Sequence, residues 1–326
     1  MDVIELIKAA IIGIIEGITE WLPISSTGHM ILADEFIRLE VSPEFWEMFL
    51  VVIQLGAICA VIILFFHKLN PFAPSKGREG RRKTWVLWAK VIVACIPAAI
   101  VGILLDSWFE EHFYNAITVA VALLVYGIAF IIVERVKGAD RPRASGRHTT
   151  EALRAHAAQE GGSQPSALQA LLPKRQPSKR GGGAAVSDVD HLGFGRAIGM
   201  GVFQVLAIVP GTSRSGSTIL GGRILGVSRE AAAEFSFFLA IPVMFGWSLL
   251  KLVKGFVLDK LVLTSTEWGV FVVGIVVAFV VSILTIRFLM GYIRRHSFEV
   301  FGWYRIVLGL VVLAFFAATS QLFVLQ

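Results

Sequence analysis

A chain of 326 residues that is 56% hydrophobic and 17% charged is too apolar for a soluble globular domain, where about a quarter of residues are charged. Its mean hydropathy of +0.73 places it among polytopic membrane proteins. The formal charge of +6 does not mark a nucleic-acid binder, because the basic residues gather in loops flanking apolar runs, where they orient a membrane protein. The start, Met1 to Lys8, lacks a basic n-region, and Glu16 and Glu20 would spoil an h-region, so no cleaved signal peptide is expected. Cys59 and Cys95 lie in apolar segments and read as structural thiols rather than a disulfide framework.

The first stretch of interest is Glu16-Gly-Ile-Thr-Glu20-Trp-Leu-Pro23-Ile-Ser25-Ser26-Thr27-Gly28-His29. Two carboxylates, three hydroxyls and an imidazole in an apolar neighbourhood each cost free energy unless partnered. Glu16 and Glu20 share a helix face, Pro23 stops that helix, and Ser25, Ser26 and Thr27 are natural N-caps for another. The arm from Ala9 to Ile18 offers about ten residues, roughly 15 Å at helical rise, or half a hydrocarbon core. The arm around Met30 to Ala33 is shorter still. Together they predict a re-entrant hairpin over 3–40.

Six further runs are long enough to span: Met48 to Phe66, Trp85 to Leu105, Ala116 to Val133, Phe235 to Leu250, Trp268 to Ile286 and Val300 to Phe323. Between the third and fourth, 137–191 is rich in Arg, Gly, Ser, Pro and Gln and reads as a flexible cytoplasmic linker, with a marginal helix over Glu151 to Gln159. Beyond it, the arm from Ala197 to Val209 runs into Pro210-Gly-Thr-Ser213-Arg214-Ser215-Gly-Ser217-Thr218, then a short arm from Ile219 to Leu225. Setting Pro23 against Pro210 places Ser25-Ser26 against Thr212-Ser213 and Glu47 against Glu234.

The chain therefore reads as an all-α polytopic membrane protein of two repeats, 1–136 and 192–326 (hairpins 3–40 and 193–227), each a re-entrant helix-loop-helix hairpin and three spans. Three spans per half make the topology inverted, so the hairpin tips should meet near the midplane. Loop charges agree. Lys68, Lys76, Arg78, Arg81, Arg82 and Lys83 mark one loop as cytoplasmic, and Asp106, Glu110 and Glu111 mark the next as outside. Lys251, Lys254 and Lys260, which parity places outside, run against the rule. The mouth of the first hairpin comes out periplasmic and that of the second cytoplasmic.

Arg214, among hydroxyls and glycines at a helix start, suits a phosphate: free amides, the positive helix end and a guanidinium fork all favour an anion. Thr27, Ser213 and Ser215 are expected to help hold that substrate, while Gln54 either lines the pocket or bonds a neighbouring helix. Glu16 and Glu20, one turn apart in low dielectric, either share a proton or bind a divalent cation, Mg²⁺ or Ca²⁺. Ser26 as nucleophile, Glu20 or His29 as base, and Arg214 as stabiliser would serve phosphoryl transfer, with attack by the serine or by water left open. The rival reading is a lipid-phosphate transporter or flippase, which shares the inverted-repeat plan.

At these residues the chain resembles the bacterial undecaprenyl-diphosphate phosphatase family of the bacitracin-resistance type. Glu16 to Glu20 with Pro23 to His29 matches its first motif, and Pro210 to Thr218 its second. Similarity continues through Val52 to Gly56 and Gly226 to Ser236, and leaves out mainly Lys137 to His191. The resemblance implies metal-dependent removal of the terminal phosphate of undecaprenyl diphosphate in the bacterial cytoplasmic (inner) membrane, recycling the lipid carrier for peptidoglycan synthesis and conferring bacitracin resistance. It carries functional roles over to Glu16, Glu20, Ser26, His29, Ser213 and Arg214. Expected partners are the polyprenyl substrate and membrane lipids, with no nucleic acid; a homodimer is left open.

Overall fold

A computed structural model describes residues 2–138 and 186–319, almost all of them helical. In chain order these are α1 (Val3–Thr19), α2 (Ser26–Phe36), α3 (Pro43–Val52), α4 (Gln54–Leu64), α5 (Phe66–Leu69), α6 (Arg78–Phe113) and α7 (Ala116–Lys137). After the undescribed stretch come α8 (Phe194–Val205), α9 (Arg214–Ile224), α10 (Arg229–Val253), α11 (Ser265–Ile293) and α12 (Glu299–Ala318). Six helical stretches are long and apolar enough to cross a membrane: Pro43–Leu64, Arg78–Leu105, Ala116–Lys137, Arg229–Leu258, Ser265–Ile293 and Glu299–Ala318. They are the six predicted runs. The chain is a multi-pass membrane protein.

The ends of these helices depart from hydropathy because polar caps, not apolar runs, decide them. Ser42 caps α3 ahead of Pro43, Asn115 caps α7, Ser228 caps α10, and Thr264 with Glu267 forms a capping box on α11. α6 runs on to Phe113, through residues read as a loop, and α10 continues through a π-helical turn to Leu258. The α1 arm is 17 residues, about 25 Å, and so longer than its apolar run, because Glu5 pairs with Lys8 inside it. The predicted helix over Glu151 to Gln159 lies outside the described residues. At the end of the same stretch, Val186 and Val189 are buried, and Val186 bridges to Val227.

Helix directions follow from which residues meet. The first spans of the two halves run antiparallel: Glu47 pairs with Lys251 at 3.4 Å, Ser248 Oγ donates to the Val51 carbonyl at 3.1 Å, and Lys68 pairs with Glu234 at 2.8 Å. The last spans, α7 and α12, are antiparallel too, with Arg135 against Glu299 and Gly127 against Gly302. The arms before each break instead lie parallel to a long span of the other half: α1 follows α11, with Gly13 at Gly274 and Gly17 at Ala278, and α8 follows α6, with Asp190, just ahead of α8, at Lys90 and Gly201 at Ala94. These particular packing relations recur with the halves exchanged. Gly201 permits the second of these approaches, since a Cβ there would collide with the Ala94 carbonyl. Gly201→Ala is expected to lower stability by about 3 kcal/mol, the upper end of overpacking costs, read as an earlier midpoint in denaturant titration of the detergent-solubilised protein.

Candidate active site

The two helix breaks meet inside the protein. At the first, α1 ends at Thr19 and α2 starts at Ser26; at the second, α8 gives way to a 3-10 turn over Leu206–Ile208 and α9 starts at Arg214. Each new helix is capped by a serine in the left-handed region. Ser25, at φ 76°, accepts from Gly28 N, and Ser213, at φ 72°, accepts from Gly216 N. A non-glycine residue there stores roughly 1–3 kcal/mol, and it recurs at the same point of both breaks.

That geometry corrects the predicted register by one residue. Ser25 corresponds to Ser213, and so Ser26 corresponds to Arg214 rather than to Ser213. The second loop holds one more residue after its proline. Gly211 absorbs it at φ 86°, where a Cβ would press on Val119. The cap of α2 is likewise Ser25, and Ser26 is the first helical residue. On the arms before the two breaks, Glu16 of α1 and Gln204 of α8 are both buried.

Glu20 is the point where the tips touch. Its Oε1 accepts from Arg214 Nη2 at 3.1 Å and Nε at 3.3 Å, and its Oε2 accepts from the Ser26 hydroxyl at 3.0 Å. Arg214 Nη1 donates to the Ser236 carbonyl at 2.9 Å, and the guanidinium lies 5.8 Å from the centroid of the buried Trp21 ring. Three of the fork's five N–H donors are thereby used, leaving two for a guest. Ser215 Oγ donates across the junction to the carbonyls of Glu20 at 3.0 Å and Leu22 at 3.3 Å. Its role is therefore to lock the tips, and Ser213 Oγ lies 3.2 Å from it.

Glu16 sits one turn before Glu20, whose backbone N–H donates to the Glu16 carbonyl. Its Oε1 is buried without a hydrogen-bond partner, with Glu20 and Arg214 as its charged neighbours. Among the described residues no cluster of three or more His, Cys, Asp or Glu side chains forms a ready metal cage. Neither ring nitrogen of His29 bonds Ser26. Its Nδ1 bonds the Ser25 carbonyl at 2.7 Å, and its Nε2 lies 2.7 Å from the Tyr304 hydroxyl. A carbonyl only accepts, so Nδ1 carries the proton and, in the neutral ring, Nε2 accepts from the tyrosine.

Thr27 is half-buried beside Ser26. Gln54 opens α4, a span packed mainly on α10 and α11, and no hydrogen bond among the described residues joins it to either tip. Three residues that sequence reasoning missed stand at this junction: Trp21, Tyr304 and Arg305. Trp21 was legible as the aromatic neighbour of Glu20 and Arg305 as a charge inside an apolar span, while Tyr304 carries no local signal. Beside the second tip, a cavity of about 370 Å³ runs between α7 and the α8 end, lined by Phe113, Val121, Leu206, Val209, Tyr126 and Thr212.

The chain is 48% identical over 308 residues to a protein of Enterococcus faecalis named undecaprenyl-diphosphatase, covering 94% of this chain and 96% of that one. It is 48% identical over 322 residues to the undecaprenyl-diphosphatase of Desulfitobacterium hafniense, covering 98% and 99%, and 48% identical over 316 residues to that of Acetivibrio thermocellus, covering 97% and 99%. The family described as bacitracin resistance protein BacA matches residues 9–311, a range that holds both breaks and all the residues meeting at Glu20, and the chain belongs to that family.

Proposed function

We propose that the protein is an undecaprenyl-diphosphate phosphatase acting at the junction of the two helix breaks, with Glu20, Ser26, His29 and Arg214 as its working residues. The observation that carries this reading is the contact of Ser26, Glu20 and Arg214: a hydroxyl, a base and a cationic fork within hydrogen-bond reach. Thr27 and Ser213 frame the phosphate, Ser215 holds together the tips that carry it, and Gln54 is a further candidate for lining the pocket. The apolar cavity ending at Thr212 offers room for part of a prenyl tail.

The incoming diphosphate engages the two free donors of Arg214 and competes with Glu20 for the rest. As the fork turns to phosphate, the Glu20 carboxylate is released to take the Ser26 proton. A bond forms between Ser26 Oγ and the terminal phosphorus as the bridging P–O bond breaks, and the lipid leaves as undecaprenyl phosphate. Water then cleaves the phosphoserine to phosphate and restores the hydroxyl. Arg214 holds the charge on the equatorial oxygens throughout.

The unpartnered Glu16 oxygen fits a hard divalent cation, Mg²⁺ or Ca²⁺, held by Glu16 and Glu20 with substrate or water oxygens completing its shell. Such an ion, when bound, would supply Lewis-acid stabilisation of the charge developing on the phosphoryl group. The recurring packing relations and the antiparallel spans support inverted repeats, 1–136 and 192–326, with re-entrant hairpins meeting near the midplane. Loop charges support a cytoplasmic (inner) membrane protein with the site open to the periplasmic side. There it would recycle the lipid carrier for peptidoglycan synthesis and confer bacitracin resistance.

Purified protein in detergent, given undecaprenyl diphosphate with Mg²⁺ or Ca²⁺, should release phosphate and stop on chelation. A lipid-phosphate transporter, the reading that the repeat plan also favours, would stay silent without a second compartment. Tyr304→Phe removes one hydrogen bond from His29, worth about 0.5–1.5 kcal/mol, so kcat should fall by roughly two- to thirteenfold in the same assay.

A further inference from the structure

Arg305 is a fully buried cation in the second turn of α12, and among the described residues it has no carboxylate partner. Its hydrogen bonds go to backbone carbonyls of both breaks. Nη1 donates to Pro23 at 3.3 Å, and Nη2 donates to Gly211 and to Thr212, each at 2.9 Å. The guanidinium lies 5.4 Å from the Tyr126 ring centroid, its Nε has no partner, and Nη1 lies where a side chain at Gly216 would meet it.

These acceptors are the carbonyls that a broken helix leaves unpaired. Inside a membrane protein no bulk water satisfies them, and each would cost free energy if orphaned. A lysine ammonium donates from one point, whereas the planar fork of arginine donates along separate fixed directions and reaches both loops. We infer that Arg305 is a positioning residue that staples the two tips together, setting the register in which Ser26 and Arg214 meet at Glu20. A phenylalanine or leucine could fill the same space, but it would leave three carbonyls of two loops unbonded. The charge itself, uncompensated by any carboxylate, also lies beside the helix starts that receive the phosphate.

This inference rests on the phosphatase reading, and its test is arranged to separate the two. Wild type, Arg305→Met, Arg305→Lys and Arg214→Ala, with the Arg305→Met/Arg214→Ala double variant, are purified in detergent and assayed with undecaprenyl diphosphate and Mg²⁺ or Ca²⁺. A silent wild type refutes the phosphatase reading, whatever Arg305 does. With wild type active, Arg305→Met is expected to lose at least 100-fold in kcat with KM changed less than about threefold. Arg305→Lys should recover less than a tenth of wild-type kcat. In the double variant Arg305→Met should add little to the loss from Arg214→Ala, since both act on one junction.

Hydrogen exchange supplies the readout that a general packing role would not give. In Arg305→Lys, and in Arg305→Met if it folds, exchange should rise in 20–28 and 209–217 while α10 and α11 stay protected. The staple is overturned if Arg305→Met or Arg305→Lys turns over within threefold of wild type, if exchange rises evenly through all helices, or if the effects of Arg305→Met and Arg214→Ala multiply in full.

Discussion

Arg214→Ala is expected to lower phosphate release by 10³-fold or more while the protein still inserts and purifies as a folded species. An arginine that holds the charge of a transferring phosphoryl group is worth about 10³–10⁵ in rate, and here it is the cation within reach of both Glu20 and the start of α9. Removing it also strips Glu20 of its partner. Breaking a buried pair costs about 3–5 kcal/mol, and Glu20 loses the fork that holds its carboxylate beside Ser26. The two losses act in the same direction. Arg214→Lys should recover only a small part, since an ammonium cannot hold Glu20, the Ser236 carbonyl and a phosphate oxygen in the geometry of a planar fork. Steady-state phosphate release from the lipid substrate checks this, and activity within tenfold of wild type would sink the phosphate cradle.

Ser26→Ala is expected to be comparably severe, with kcat down by about 10³-fold, and to bind substrate nearly as tightly as wild type. The serine hydroxyl is the one placed against the candidate base, donating to Glu20 Oε2, while both nitrogens of His29 are occupied by Ser25 and Tyr304. The histidine therefore serves the site by shape and hydrogen bonding more readily than as the attacking group. Rapid acid quench of wild type during turnover should trap a phosphoserine at position 26, absent from Ser26→Ala. If Ser26→Ala retains most of its activity and no phosphoserine forms, water attacks directly and Ser26 only orients Glu20. His29→Gln, which can still hydrogen-bond, should then cost more than Ser26→Ala.

The membrane class, the six spans and the two broken stretches were written in the amino-acid order itself, because apolar length, proline and glycine act on their immediate neighbours. The charges were legible too: Glu16, Glu20 and Arg214 are rare enough in apolar surroundings to announce themselves. Local rules could not decide which residues meet. Pro23 and Pro210 looked like matching landmarks, yet the backbone pairs Ser25 with Ser213, because Gly211 takes up one extra residue in a left-handed turn. That single step places a serine and an arginine, not two serines, on equivalent positions around Glu20. Tyr304 and Arg305 lie in an apolar span, and the local sequence does not say which helix or loop their side chains meet. Their places beside His29 and beneath both tips depend on α12 packing antiparallel to α7. Such contacts join residues far apart in the chain, and leave no periodicity or spacing to read. Only the folded packing of the two halves turned one acidic break and one basic break into a single site.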